Sequence, residues 1–234
     1  MRSEGPGHDG HRFAAALRGF GPIGLLAILL IVLSGTITPG HVAVPLGALL
    51  ALAWVHWSGT PWRAIGYTRP RSWIGGLATG IAVGIALKMT MKALVLPLLG
   101  ASPTNSAYHD LVGNRAMLPA AIWMMLVAGF GEETVFRGFL FERLGTLFGS
   151  GACARVAIVL STSALFGLAH YADQGLAGAE QGALTGLVFG TMFATTGSLW
   201  VPICAHAAFD LTALAIIYLD LEITVAHLIF NVAS

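Results

Sequence analysis

The sequence predicts an all-α protein, a polytopic transmembrane helix bundle of seven or eight helices. Three observations predict it. Only 10% of the 234 residues are charged and 56% are hydrophobic, with a mean hydropathy of +0.78, whereas soluble domains carry about 25% charged residues. Several apolar stretches reach the ~20 residues that a helix needs to cross a hydrocarbon core. Thirty glycines suit close helix packing through small residues better than flexible linkers. The net charge of +1 leaves no basic footprint for nucleic acid.

Residues 1–19 read as a polar, cytoplasmic N-terminal tail with Arg2, Arg12 and Arg18 ahead of the first apolar run. Residues 20–234 read as one transmembrane domain. The run from Phe20 to Ile37 is long for a signal-peptide core and lacks a clear small-residue cleavage site, so it is expected to stay as the first span. Further apolar segments fall at about 41–57, 73–99, 117–148, 153–170, 181–196 and 199–219, with a short tail at 223–233 that makes either an eighth span or an interfacial helix. The path of 171–180 is left open.

Lys and Arg gather on cytoplasmic loops. With the N-terminus inside, the inner segments hold Arg2, Arg12, Arg18, Arg63, Arg69, Arg71, Arg137, Arg143 and Arg155, against Arg115 outside. Lys88 and Lys92 share a helix face within the third span. They are expected to snorkel outward or to pair with a carboxylate. Cys153 and Cys204 have no metal-type spacing and read as small buried hydrophobes.

The later spans carry most of the intramembrane polar groups. Glu132, Glu133 and Arg137 lie in the fourth segment, Phe166 and His170 in the fifth, and His206 and Asp210 in the seventh. A charge at the bilayer centre costs ~2.5–3.5 kcal/mol on insertion scales, so such groups persist when they face the bundle interior and satisfy one another. Glu133 and Arg137 are i, i+4 and suit a salt bridge. Glu132 sits about 100° round the helix, free to face a cavity. His206 and Asp210 also share a face, and Phe166 lies one turn before His170 as an apolar wall. Helical rise puts Glu132 and His170 level, in a site within the membrane that is expected to open to the cytoplasm.

Two carboxylates and two histidines suit water activation. Glu132 would take the proton, while His170 and His206 would polarise a carbonyl or stabilise an oxyanion. His170, His206, Asp210 and Glu132 also make a zinc set, so the cofactor stands open between a divalent metal and none. Two other classes fit the same residues. One is an ion-coupled transporter with a carboxylate/histidine proton relay, and the other is a non-catalytic immunity or scaffold protein.

Glu132-Glu133 to Arg137, Phe166 to His170, and His206 to Asp210 resemble the EExxxR, FxxxH and HxxxN/D motifs of the CAAX prenyl endopeptidase type II and bacteriocin-processing family, the Abi family of intramembrane peptidases. The resemblance covers about 125–212, and Ile65-Gly66-Tyr67-Thr68-Arg69-Pro70 resembles a segment of many bacterial members. It implies Glu132 as the water-activating base, supported by Glu133 and Arg137. His170, His206 and Asp210 would complete the site. It further implies a peptide or lipidated protein substrate, the lipid bilayer as partner, and a bacterial plasma membrane. The prenyl-processing branch usually has Asn at the place of Asp210.

Overall fold

The computed structural model describes the backbone of residues 6–37 and 40–230, and the side chains of 10–34 and 44–230. The chain is all-helical, and no strand occurs among these residues. Each apolar segment of the sequence up to residue 219 is helical. Helix α1 spans Pro6–Arg18, α2 Pro22–Ile37 and α3 Gly40–Ser58. Helix α4 spans Trp73–Thr90 and runs on through a π-helical turn, Met91–Val95, to Leu98. Pro97 has no N–H to close a normal α-turn, which accounts for the widened ladder just before it.

Helix α5 (Leu118–Glu133) continues through a second π-helical segment (Thr134–Phe139) into α6 (Leu140–Phe148). Helix α7 (Ala152–Thr196), α8 (Trp200–Tyr218) and the short α9 (Glu222–Ala226) follow.

The expected count of seven or eight membrane helices is not confirmed. The described residues form nine α-helices of five residues or more. Three of these, Trp73–Leu98, Ala152–Thr196 and Trp200–Tyr218, are long and apolar enough to cross a membrane; α1 and α2 would add a fourth if their 60° bend is one broken span. The continuous helix over 118–148 is not among them, since it carries Glu132, Glu133, Arg137, Glu142 and Arg143. The apolar tail begins as the five-residue α9, and residues 231–233 lie outside the described part.

Residues 6–18, expected as a tail, form a helix fastened to the bundle. Trp54 Nε1 donates to the Leu17 carbonyl at 3.0 Å, Arg143 donates to the Arg18 carbonyl at 2.6 Å, and Arg18 donates to the Ser58 carbonyl. Arg2 lies outside the described residues. Cys153, expected to be buried, is exposed at the start of α7, and Cys204 is half-buried.

The open question of 171–180 has a geometric answer. Gly175 has φ 64° and ψ −158°, values only glycine adopts readily, and α7 folds back there. A Cβ on Gly167 would lie 2.6 Å from the Ala179 carbonyl oxygen, and one on Gly186 would lie 2.9 Å from Ser163 Cα. These pairs are antiparallel about Gly175, so 153–170 and 181–196 are two arms of one tight hairpin. Glycines at 167, 182 and 186 let the two backbones touch.

Helix α8 is held just as closely. A Cβ on Gly84 of α4 would meet the Ala205 carbonyl at 2.2 Å, and one on Gly129 of α5 would meet Ala207 N at 2.8 Å. His206 sits between these two contacts, which fixes its rotation about the α8 axis.

Candidate active site

The fully buried pair at the centre is Glu133 and Arg137. Arg137 Nη1 donates to Glu133 Oε1 at 2.7 Å, and its Nη2 donates to the Gly186 carbonyl at 3.3 Å. The guanidinium lies over the rings of Phe166 and Phe189, at 4.5 and 5.7 Å from their centroids. A buried ion pair is costly unless its remaining groups are occupied; two aromatic faces and a carbonyl do this in part, while Glu133 Oε2 and Arg137 Nε have no hydrogen-bond partner among the described residues. Arg137 and Arg143 are buried and therefore drop out of the loop charges that orient the chain.

Glu133 has a second partner. His206 Nδ1–H donates to the same Oε1 at 2.8 Å. That bond sets the imidazole so that Nε2 points to the neighbouring carboxylates, Glu132 Oε2 at 3.8 Å and Asp210 Oδ2 at 3.5 Å. His170 is set the same way by a different acceptor. Its Nδ1–H donates to the Phe166 carbonyl at 2.8 Å, leaving Nε2 4.0 Å from Glu132 Oε2. The Phe166 ring lies 4.6 Å from the His170 ring. Phe166 thus walls the site, supports the arginine and orients a histidine.

Glu132 Oε2 is buried and has no hydrogen-bond partner in the protein. It faces two imidazole nitrogens slightly beyond direct hydrogen-bond reach, a separation that one shared water or a substrate oxygen spans. All four predicted polar residues, Glu132, His170, His206 and Asp210, therefore meet in one place. Among the described residues no set of three or more His, Cys, Asp or Glu side chains is arranged to hold a metal ion. The zinc alternative finds no fitting ligand set here, and no step below runs through a metal.

Two connected spaces flank Glu132. A chamber of about 120 Å³ is lined by Glu132, His170, His206, Asp210, Lys88, Gln181 and Tyr108. A larger cavity of about 540 Å³ runs along α5 past Met117, Met124, Met125, Val135 and Phe136 to α2 and α3. Its rim carries Tyr108, Asp110, Asp173 and Gln174, and residues of the turns at 59–72, 149–151 and 197–199 take no part in it. Burial, then the charges of Asp210, Glu132 and Asp173, push the Tyr108 phenol up to about 12. At neutral pH Tyr108 is therefore an uncharged O–H donor where the two spaces meet.

The 65–70 segment supports the site from behind. Gly66, at φ 86°, accepts from Leu199 N at 3.0 Å, and Trp200 Nε1 donates to the Thr68 carbonyl at 3.0 Å. Thr134 Oγ1 donates to the Phe130 carbonyl, so the Tyr67 hydroxyl donates to Thr134, at 2.7 Å. The loop thereby pins the π-helical segment next to Glu133. π-segments are frequent at functional sites.

Sequence reasoning missed the Glu133–His206 bond, because the partners lie 73 positions apart. It also missed Gln181, although a glutamine in the middle of an apolar segment was a usable signal. Of the two lysines, Lys92 does pair with a carboxylate, Glu222, at 2.7 Å, but buried rather than snorkelled. Lys88 is buried without one.

No curated protein and no solved structure matches the chain. Residues 114–212 match the family model described as type II CAAX prenyl endopeptidase Rce1-like. That interval holds every side chain of the constellation from Glu132 to Asp210. Residues 114–212 are thus similar to the Rce1-like type II CAAX prenyl endopeptidase family, a protease family, in a chain whose apolar helices make it an integral membrane protein.

Proposed function

We propose that the chain is an intramembrane endopeptidase that hydrolyses a peptide bond of a membrane-associated or CAAX-type prenylated substrate with glutamate-activated water. The observation that carries the reading is the convergence on Glu132. Its buried, unpartnered Oε2 faces the Nε2 atoms of His170 and His206, whose other nitrogens are already engaged.

In this mechanism Glu132 accepts a proton from water, and the water oxygen attacks the scissile carbonyl carbon. His206, in its protonated form, donates from Nε2 to the developing oxyanion. Glu133 keeps the ring in place through Nδ1. The tetrahedral intermediate collapses with cleavage of the C–N bond, and the proton held by Glu132 passes to the leaving amine. His170 shares the water with Glu132, and Asp210 holds the far side of His206. The 540 Å³ cavity, lined mainly by apolar side chains, suits a lipid chain or an apolar peptide segment.

The orientation also belongs to this proposal. The turns near Ser58, Gly66, Phe148 and Gly197 lie at one end of the bundle, together with Arg18, Arg63, Arg69, Arg71 and Arg155. The cavity rim lies at the other end, with 107–117 and the Gly175 turn. If the arginine-rich end is cytoplasmic, the site opens to the non-cytoplasmic face, opposite to the access expected from the sequence.

The test is cleavage by purified protein in liposomes, read by mass spectrometry on a mixture of apolar and prenylated peptides. Wild type should generate defined fragments and Glu132→Gln none. Glu132-dependent proton flux without any cleavage would instead favour the transporter.

A further inference from the structure

The exposed charges of the molecule are sorted by end. Arg18, Arg63, Arg69, Arg71 and Arg155 are exposed and lie at the end formed by the 59–72 loop and the turns near Phe148 and Gly197. None of them forms an ion pair among the described residues. Glu142, at the same end, is taken up by Arg143 at 2.7 Å. The exposed carboxylates of Asp110, Asp173 and Asp220 lie at the opposite end.

Exposed indoles accompany the arginines. Trp57, Trp62 and Trp73 are 62%, 47% and 54% exposed, and they stand just before, within and just after the 59–72 loop. Tryptophan concentrates at the headgroup level of a bilayer, where its ring is in apolar surroundings and its N–H finds an acceptor. The arginines of this short loop therefore share the level of the lipid headgroups. At the other end the exposed Trp123 has only Arg115 for basic company, among exposed carboxylates.

The loop is held firmly from its inner side. The carbonyls of Gly66 and Thr68 accept from Leu199 N and Trp200 Nε1, each at 3.0 Å, and the Tyr67 hydroxyl is bonded to Thr134 at 2.7 Å. Pro61 and Pro70 restrict its backbone further. Arg63, Arg69 and Arg71 are thus exposed on a fixed backbone, and a preorganised array loses less freedom on binding an anion than a mobile one. A guanidinium matches phosphate oxygens with paired N–H donors.

We propose that the 59–72 loop binds the phosphodiester headgroups of anionic phospholipids through Arg63, Arg69 and Arg71, with Arg18 and Arg155 adding to the local positive field. A soluble acidic partner does not account for the exposed tryptophans, whereas a bilayer leaflet supplies both the anion and the apolar boundary that indoles occupy. The binding is independent of the peptidase reading, because this surface lies at the end away from the cavity rim. It selects the lipid beside the protein. An arginine near an anionic surface is favoured by about fivefold over the same residue near a neutral one.

The experiment uses the full chain in phosphatidylcholine vesicles into which bromine-labelled phosphatidylglycerol or bromine-labelled phosphatidylcholine is mixed. Bromine quenches tryptophan fluorescence at contact range, so the two titrations together give the preference for the anionic lipid. Wild type should prefer phosphatidylglycerol by at least about fivefold at low salt. The preference should shrink toward unity at about 0.5 M salt, where the Debye length is about 4 Å. Arg63→Gln, Arg69→Gln and Arg71→Gln combined should lower it at least about threefold, while Arg115→Gln at the opposite end should leave it unchanged. A wild-type preference under about twofold overturns the proposal and turns attention to an acidic protein partner; that result needs no variant to fold. A preference that survives the triple substitution, or that Arg115→Gln removes, overturns the assignment to this loop.

Discussion

Glu132 and Glu133 are neighbours in sequence with opposite assignments, and their surroundings decide which is which. Glu133 is held by Arg137 and His206 on one oxygen and is fully enclosed, whereas Glu132 offers its unpartnered oxygen to the chamber. Glu132→Gln is expected to abolish hydrolysis with no loss of folding. Glu133→Gln keeps the volume but weakens the hold on His206. Its kcat should fall by about 10²–10⁴, the range seen when a histidine loses its orienting carboxylate, while KM changes little. Equal activity of the two variants in a steady-state assay would refute this division of labour. Arg137→Met leaves Glu133 buried without its cation and should cost about 3–5 kcal/mol, read as a lowered unfolding temperature in detergent. The i, i+4 spacing made the Glu133–Arg137 and His206–Asp210 relations legible in the sequence. Spacing within one helix says nothing of the other helices, so the bond from Glu133 to His206 and the isolation of Lys88 became visible only in three dimensions.

The elements that position these residues depend on backbone contact rather than on large side chains. The hairpin of α7 brings His170 to Glu132 because Gly167, Gly182 and Gly186 allow the arms to touch, and Gly175 allows the reversal. In the sequence those glycines signalled tight packing, and the two arms appeared as separate apolar segments. A glycine that reverses a helix looks the same in sequence as one that packs inside it, which is why the path of 171–180 was not legible. Gly167→Ala would place a methyl group 2.6 Å from the Ala179 carbonyl oxygen. Forcing the arms apart should cost about 1–3 kcal/mol and lower kcat by moving His170. Gly145→Ala is the matched control, since nothing lies within 4 Å of the added methyl, and it should leave activity intact. If Gly167→Ala behaves like the control, the close approach of the arms is not what positions His170.

At the scale of the whole molecule, composition alone made the helical membrane character legible, but not the side from which the site is reached. Counting arginines by segment treated Arg137 and Arg143 as loop charges, whereas both are buried, one in the site and one over Trp54. Removing them still leaves Arg12, Arg18, Arg63, Arg69, Arg71 and Arg155 toward one end against Arg115 at the other. The rim of the apolar cavity lies at the arginine-poor end, where Asp110 and Asp173 are exposed. Orientation can be tested with a thiol already in the chain, because Cys153 is exposed at the arginine-rich end beside Arg155. In intact cells carrying Cys204→Ser, a membrane-impermeant maleimide should reach Cys153 only after permeabilisation. An added Asp110→Cys or Asp173→Cys should be labelled from outside at once. The reverse pattern would place the rim in the cytoplasm and restrict substrates to those reached from that side. The expected pattern would make exported or outward-facing membrane peptides the substrates to test, because only these reach the cavity from that side.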